Sequence, residues 1–236
     1  MGLTAENVAD RKGITREEMD RYAVNSQSLA VRARDDGFFD REIIPVPLSD
    51  GRMLHRDDGP RPNTTMEVLA TLKPAFRENG RVTAGNACPL NDGAAAIVIL
   101  SNGKAKALGI RPLARIVATA VSALEPEIMG LGPIEASRRA LARAGMTMDD
   151  VDILEINEAF AAQVIPCARE LGVDPFSDKL NPHGGAIALG HPFGMTGARI
   201  LCTLLNGLQS ADKTVGLETM CVGGGQGMAM IIERLA

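Results

Sequence analysis

From residue 113 to the C-terminus, short apolar runs alternate with helical patterns, and this order limits the folds open to the chain. Leu113 to Ala120, Val151 to Ile156, 214–220 and 228–233 read as strands. Each has strand length, and Leu113 to Ala120 reads as a buried strand. Between them, Gly132-Pro133 opens a helix that Gly145 closes, with Pro at the first helical position where its missing N–H costs nothing. Glu158 to Leu171, closed by Gly172, and 194–208 read as two more helices. The order β-α-β-α-α-β-β predicts an α/β fold, a mixed sheet covered by helices rather than a sandwich or bundle.

The first part reads differently. Thr15-Arg16-Glu17-Glu18 has the spacing of a capping box. Met19, Tyr22, Ala23, Ser26, Ala30 and Ala33 then fall on one helical face, and Gly37 is a natural stop. Ile43 to Leu48 carries two prolines and is at most an extended edge. Residues 49–63 are rich in Asp, Arg, Gly and Pro and form a surface loop, after which Thr64 or Thr65 caps a short helix. Ala94 to Leu100 reads as a strand buried on both faces, and Ser101 to Gly109 as a helix.

Bulk properties exclude several function classes. The 25 Lys+Arg and 29 Asp+Glu give a net charge of −4, and Tyr22 is the only tyrosine in a chain without Trp. A basic field or stacking platform for nucleic acid is missing. No apolar run reaches membrane-spanning length, and the start lacks the basic and apolar regions of a signal peptide. Cys88, Cys167, Cys202 and Cys221 are widely spaced, with no metal-binding cluster. Free thiols, and with them a cytoplasmic location, are the expectation.

Three segments carry candidate chemistry. Cys221 ends a strand and precedes Gly223, Gly224 and Gly225, which leave the sulfur open and let a ligand approach the backbone. A buried small residue beside a tight hairpin is the plainer alternative. A dinucleotide loop fails, because a strand follows the glycines. His191, between Gly190 and Pro192, is expected just before a helix N-terminus, whose dipole favours the neutral ring. His183 competes for the role without a comparable setting, and His55 lies in a charged loop. Asn157 ends an apolar strand and is a helix N-cap or a site residue; Glu158 reads as a first-turn carboxylate. Cys/His pairs exchange protons near neutral pH, and strand ends gather ligand sites in open α/β sheets. Asn157, His191 and Cys221 are therefore expected in one pocket.

Taken together, Asn157-Glu158-Ala159-Phe160, the stretch from Asn181 through Gly197 with Gly190-His191-Pro192, and Cys221-Val222-Gly223-Gly224-Gly225-Gln226-Gly227 resemble the signature set of the thiolase family. Arg61-Pro62-Asn63-Thr64-Thr65 and Thr83 to Cys88 are similar to its loop domain and the return from it. The resemblance implies a thiolase-like fold divided as 1–85, a loop-domain segment; 86–110, the last strand and helix of the N-terminal half; and 111–236, the C-terminal domain. It implies acyl transfer between coenzyme A (CoA) and a 3-oxoacyl-CoA, with CoA as substrate and no metal or other cofactor. His191 would help deprotonate the cysteine that becomes acylated and, with a water held by Asn157, form one oxyanion hole. Cys221 would be the acid/base, and the Gly223 N–H would line a second oxyanion hole. Arg61, Cys88, Ala159 and Phe160 match positions that contact CoA.

Two departures stand out. Glu218 replaces a small or apolar residue and, by strand period, points away from Cys221. The half carrying the acylated cysteine is expected to be missing. Its place would be taken by that half as a separate chain, or the protein would be a homo-oligomer. The alternatives are a fragment without turnover, one part of a split enzyme, or a CoA-binding scaffold module.

Overall fold

The computed structural model describes residues 1–235. In chain order the elements are α1 (Gly2–Lys12), α2 (Arg16–Asp35), β1 (Val46–Pro47), β2 (Met53–Leu54), α3 (Met66–Ala70), α4 (Asn102–Ala107), β3 (Ala114–Ala123), α5 (Gly132–Ala144), β4 (Ile153–Ile156), α6 (Ala161–Glu170), α7 (Ala186–Leu189), α8 (Thr196–Ser210), β5 (Val215–Val222) and β6 (Gln226–Arg234).

Four strands form one mixed sheet in the order β3-β6-β5-β4. β4 and β5 are parallel, with Ile153 beside Gly216 and Glu155 beside Glu218. The pairs β5/β6 and β3/β6 are antiparallel, and β3 breaks register between Ile116 and Ala118. Side-chain alternation sorts the strands into two faces. Leu154, Ile156, Leu217, Cys221, Ala229 and Ile231 join the main core with Ile134, Ala136 and Ala140 of α5 and Ala161 to Ala168 of α6. Ile153 and Ile232 face the other way, onto Leu204 and Leu208 of α8. The predicted helix-covered mixed sheet is thus observed, with α5 and α6 on one face and α8 on the other.

Local signals explain the helices. Thr15 accepts the N–H of Glu18 at 3.1 Å, but Glu18 turns its carboxylate to Arg169 instead of back to the cap, so half of the expected capping box forms. All six residues of the predicted α2 face are buried. Gly145, at φ 68°, closes α5 where a side chain would strain the backbone. Thr65, rather than Thr64, caps α3.

Three expectations are corrected. Ala94 to Leu100 forms no strand and is exposed, Val98 by 83%. None of the described residues offers it a strand partner, and an apolar run alone does not make a ladder. β3 is an edge strand, largely exposed, rather than buried on both faces. The helix expected from Glu158 begins at Ala161, with Phe160 as N-cap, so Asn157 is no cap and Glu158 lies outside the first turn. The Gly-rich stretch before His191 holds the short α7, which its composition concealed.

Candidate functional site

The site forms where β4 ends. Beyond Ile156 the chain leaves the sheet as Asn157 and Glu158, both 1% exposed, although the Asn157 N–H still bonds Thr219 O at 3.0 Å. Asn181 holds this edge in place of a fifth strand. Its Oδ1 accepts the Ile156 N–H and its Nδ2 donates to Ile156 O, each at 2.9 Å. Asn181 sits at φ 43°, a left-handed conformation that Asn tolerates.

Glu158 is the anchor of this corner. Its carboxylate accepts Tyr22 OH at 2.9 Å, Ser26 OH at 2.6 Å, Asn181 Nδ2 at 3.0 Å and the Ile187 N–H of α7 at 3.1 Å. Burial, with Glu158 beside it, pushes the Tyr22 hydroxyl well above its usual range, so it remains a donor. Gly185 is required here: a Cβ on it would lie 2.3 Å from the Glu158 carboxylate carbon. The Gly-rich motif therefore serves first to pack α2 and α7 around a buried acid.

His191 is reached six residues after Gly185 along this stretch. Its N–H bonds Asn91 Oδ1 at 3.2 Å, and its Nδ1 lies 2.7 Å from Thr196 Oγ1. The Thr196 hydroxyl donates to Pro192 O at 2.8 Å, so its oxygen must accept from the imidazole. That fixes the Nδ1–H tautomer and leaves the lone pair on Nε2, 3.3 Å from Asn157 Nδ2. Burial, then the charge of Arg199, lowers the His191 pKa and keeps the ring neutral. The expected cause was a helix dipole, but α8 starts only at Thr196, five residues on. His183, the competing histidine, stacks on Phe38 with ring centroids 3.5 Å apart, and burial lowers it to about 4.

Cys221 is the penultimate residue of β5 rather than one beyond it, and is 7% exposed, not accessible as expected. Burial pushes its thiol up to about 11, with Cys88 adding to the shift. Strand alternation sends it to the α5/α6 face with Leu217. Asn157 and His191 are in contact with each other, and Cys221 bonds neither. The hairpin beyond it divides its glycines between two duties. Gly225 has φ 88° and would clash with Leu124 O at 2.2 Å if it had a Cβ, whereas nothing lies within 4 Å of the Cβ position of Gly223.

Three of the four candidate CoA residues meet. The Cys88 N–H bonds Ala159 O at 3.1 Å, and Ala87 pairs with Phe160 in an antiparallel bridge. Arg61 lies apart, its N–H on Gln27 Oε1 at 2.7 Å and its side chain exposed. All four cysteines are free. Burial raises every one of them, Cys88 to about 11 and Cys167 far higher. Cys167 is buried in the core, while Cys202 is half-buried. Among the described residues, no group of three or more His, Cys, Asp or Glu could hold a metal ion, and no helix is long and apolar enough to cross a membrane.

Sequence reasoning missed Thr196, Asn91, Tyr22 and Arg199. Thr196 had a readable signal, a hydroxyl four residues after Pro192 that can return to its carbonyl. Asn91 and Tyr22 come from distant parts of the chain and left none, and Arg199, on the same helix as Thr196, left none either.

Sheet, motifs and site define a thiolase, and the chain belongs to that family. The family's C-terminal domain model matches residues 110–234 and its N-terminal domain model residues 1–103. Acetyl-CoA acetyltransferase of Escherichia coli K12 is 51% identical over 238 residues, covering 100% of this chain and 60% of the relative. The protein of the same name from Pseudomonas aeruginosa PAO1 is 52% identical, covering 99% and 60%. The crystal structure of Bacillus anthracis acetyl-CoA acetyltransferase superposes with a TM-score of 0.96 at 47% identity. Human mitochondrial 3-ketoacyl-CoA thiolase gives 0.93 at 42%. Each match covers 100% of this chain and 60% of the solved one. The chain thus spans about 60% of the length of the relatives it matches.

Proposed function

We propose that this chain carries the proton-transfer part of a thiolase site, for thiolysis of a 3-oxoacyl-CoA or the reverse Claisen condensation of acyl-CoA. The observation that carries the reading is the locked His191 tautomer, with a neutral ring and its Nε2 lone pair facing the Asn157 amide. In this reading Nε2 accepts the proton of the cysteine to be acylated, and the resulting Nε2–H then helps hold a developing oxyanion. Asn157 positions a water beside it. Cys221 stays a protonated thiol near neutral pH and acts as the acid/base toward the acyl α-carbon or the CoA thiol. The Gly223 N–H lines a second oxyanion hole, and Arg61, Cys88, Ala159 and Phe160 contact CoA. The segments are 1–85, 86–110 and 111–236, divided as the family resemblance implies. The same reading places the protein in the cytoplasm, where free thiols persist, as a homo-oligomer or joined to an N-terminal thiolase half.

Acyl transfer in two steps also needs an activated nucleophile. A nucleophilic cysteine needs a lowered pKa, and burial raises all four thiols here. The acylated cysteine is therefore assigned to a part of the enzyme outside these 236 residues. The same observation favours a second reading, CoA binding without turnover. Acetyl-CoA release from acetoacetyl-CoA plus CoA separates them. The chain alone is expected to turn over far below the ~1 s⁻¹ of a slow ordinary enzyme. Adding an N-terminal thiolase half in trans should restore activity, and His191→Ala should then cost about 10²-fold or more. Turnover of about 1 s⁻¹ by the chain alone, or an acyl adduct on one of its four cysteines, overturns the assignment. Binding of CoA with no rescue in trans favours the second reading.

A further inference from the structure

The sheet face beneath α8 holds charges that the site above does not use. Glu155 and Glu218 are register partners on the adjacent parallel strands β4 and β5, so both point to this face. Glu155 is 2% exposed. Its Oε1 and the Oε2 of half-buried Glu218 are shielded from solvent without a hydrogen-bond partner, and so are Nε and Nη1 of Arg199. Helix α8 runs antiparallel to β5: the Cβ position of Gly197 lies 3.8 Å from Met220 Sδ, and Leu204 lies against Gly216. Its turn from Arg199 to Thr203 therefore crosses Glu218. The same helix begins at Thr196, which holds the His191 ring.

We propose that Glu155 and Glu218 act as one carboxylate pair holding a single proton between them, and that this pair and Arg199 form a positioning unit that keeps His191 neutral. Two ionised carboxylates on neighbouring strands facing one guanidinium would leave an uncompensated buried charge, and like charges so placed cannot both ionise. One proton on the pair removes one of the buried negative charges around Arg199, which the Glu42 and Asp57 carboxylates also face. Burial raises both acids to about 8, with Arg199 opposing the rise in each, and Glu218 contributes to the rise of Glu155. The other titratable groups facing the pair are Glu158 after β4, Glu42 from the segment after α2, and Cys202 of α8. Glu42 is tied by Thr203 Oγ1 at 3.0 Å and Asn206 Nδ2 at 3.3 Å, and β6 sets Met230 opposite Glu218. Arg199 thus remains the one cation among the described residues that faces both the pair and His191. No group of three among these acids and Cys202 is arranged to hold a metal ion. The role given to His191 rests on the function proposed above; the proton-holding pair does not.

Infrared difference spectroscopy and ring-nitrogen NMR of the three histidines, on the full chain, test this without measuring acyl transfer. A protonated-carboxyl band should be present at pH 7 and titrate near pH 8. It should be lost in Glu218→Gln and in Glu155→Gln, where one carboxylate remains and Arg199 ionises it. The second variant serves if the first fails to fold. The His191 signals should move through the same pH range in the parent chain and not in either variant. In Arg199→Gln the protonation midpoint of His191 should rise. Absence of the band at pH 7, its persistence in both Gln variants, or His191 signals flat between pH 7 and 9 overturns the proposal. Success here with no rescue of acyl transfer in trans would sink the catalytic reading and leave the pair standing.

Discussion

Glu155 and Glu158 stand three residues apart, both buried, and the fold treats them in opposite ways. Glu158 lies past the end of β4, where α2, α7 and Asn181 converge, and accepts four hydrogen bonds. Glu155 lies inside β4, under α8, with one oxygen unpartnered and another carboxylate beside it. One acid is an anchor held by four donors. The other is held beside a single shared cation. The difference teaches that burial alone does not give a carboxylate its role; the number of donors aimed at it does.

The largest expected effect tests the anchor. Glu158→Ala would strand four donors, Tyr22, Ser26, Asn181 and the Ile187 N–H. At about 1–3 kcal/mol for each unsatisfied group, a loss of at least about 4 kcal/mol is expected in urea unfolding. A loss below about 1 kcal/mol would erase the contrast with Glu155.

Glu218→Gln should act in the opposite direction. The folded-state pKa of Glu218 is about 8, above the ordinary carboxylate value of 4.5. Between those values the unfolded chain has released a proton that the folded chain keeps, so stability falls as pH rises from 4.5 to 8. Removing the acid should stabilise the protein at pH 8 by about 1 kcal/mol, as replacement of awkward buried charges often does. Thermal unfolding of parent and variant at pH 5 and pH 8 checks the sign; equal differences at both would mean that the group does not titrate in this window.

Thr196→Val sharpens the link between the two regions. It keeps the shape of the side chain but removes the acceptor for His191 Nδ1–H. The tautomer should become mixed in ring-nitrogen NMR, and acyl transfer in the complemented enzyme should fall about tenfold, the equivalent of one hydrogen bond of about 1.4 kcal/mol. An unchanged tautomer would place its control elsewhere.

The smallest effects concern the surface and the thiols. With Leu90, Val98 and Ile99 exposed, and Ile116 and Val121 of β3 exposed as well, the chain is expected to self-associate in light scattering. A monomer that binds no hydrophobic dye would contradict this. At pH 7.5, Cys167 and Cys221 should resist alkylation until unfolding while Cys202 reacts, as read by mass mapping. Rapid labelling of Cys221 in the native state would show a more open hairpin than its 7% exposure implies.

The element order from β3 to β6, the cap at Thr15 and the stop at Gly145 were legible in the sequence because each depends on neighbours within one or two turns. The three signature segments were legible too, because glycines beside His191 and Cys221 are unusual in ordinary elements. Other features were decided only by tertiary structure. Whether Ala94 to Leu100 becomes a strand depends on a partner edge, which no local pattern encodes. Whether Glu158 is a cap or an anchor depended on Tyr22 and Ser26, more than 130 positions away. The neutrality of His191 was foreseen, but its cause was not. The sequence suggested a dipole, and the structure supplies burial and the charge of Arg199. Hydrogen bonds and charges act over a few ångströms in space whatever the separation in sequence, so the chain itself settles the elements and folding settles which polar groups meet.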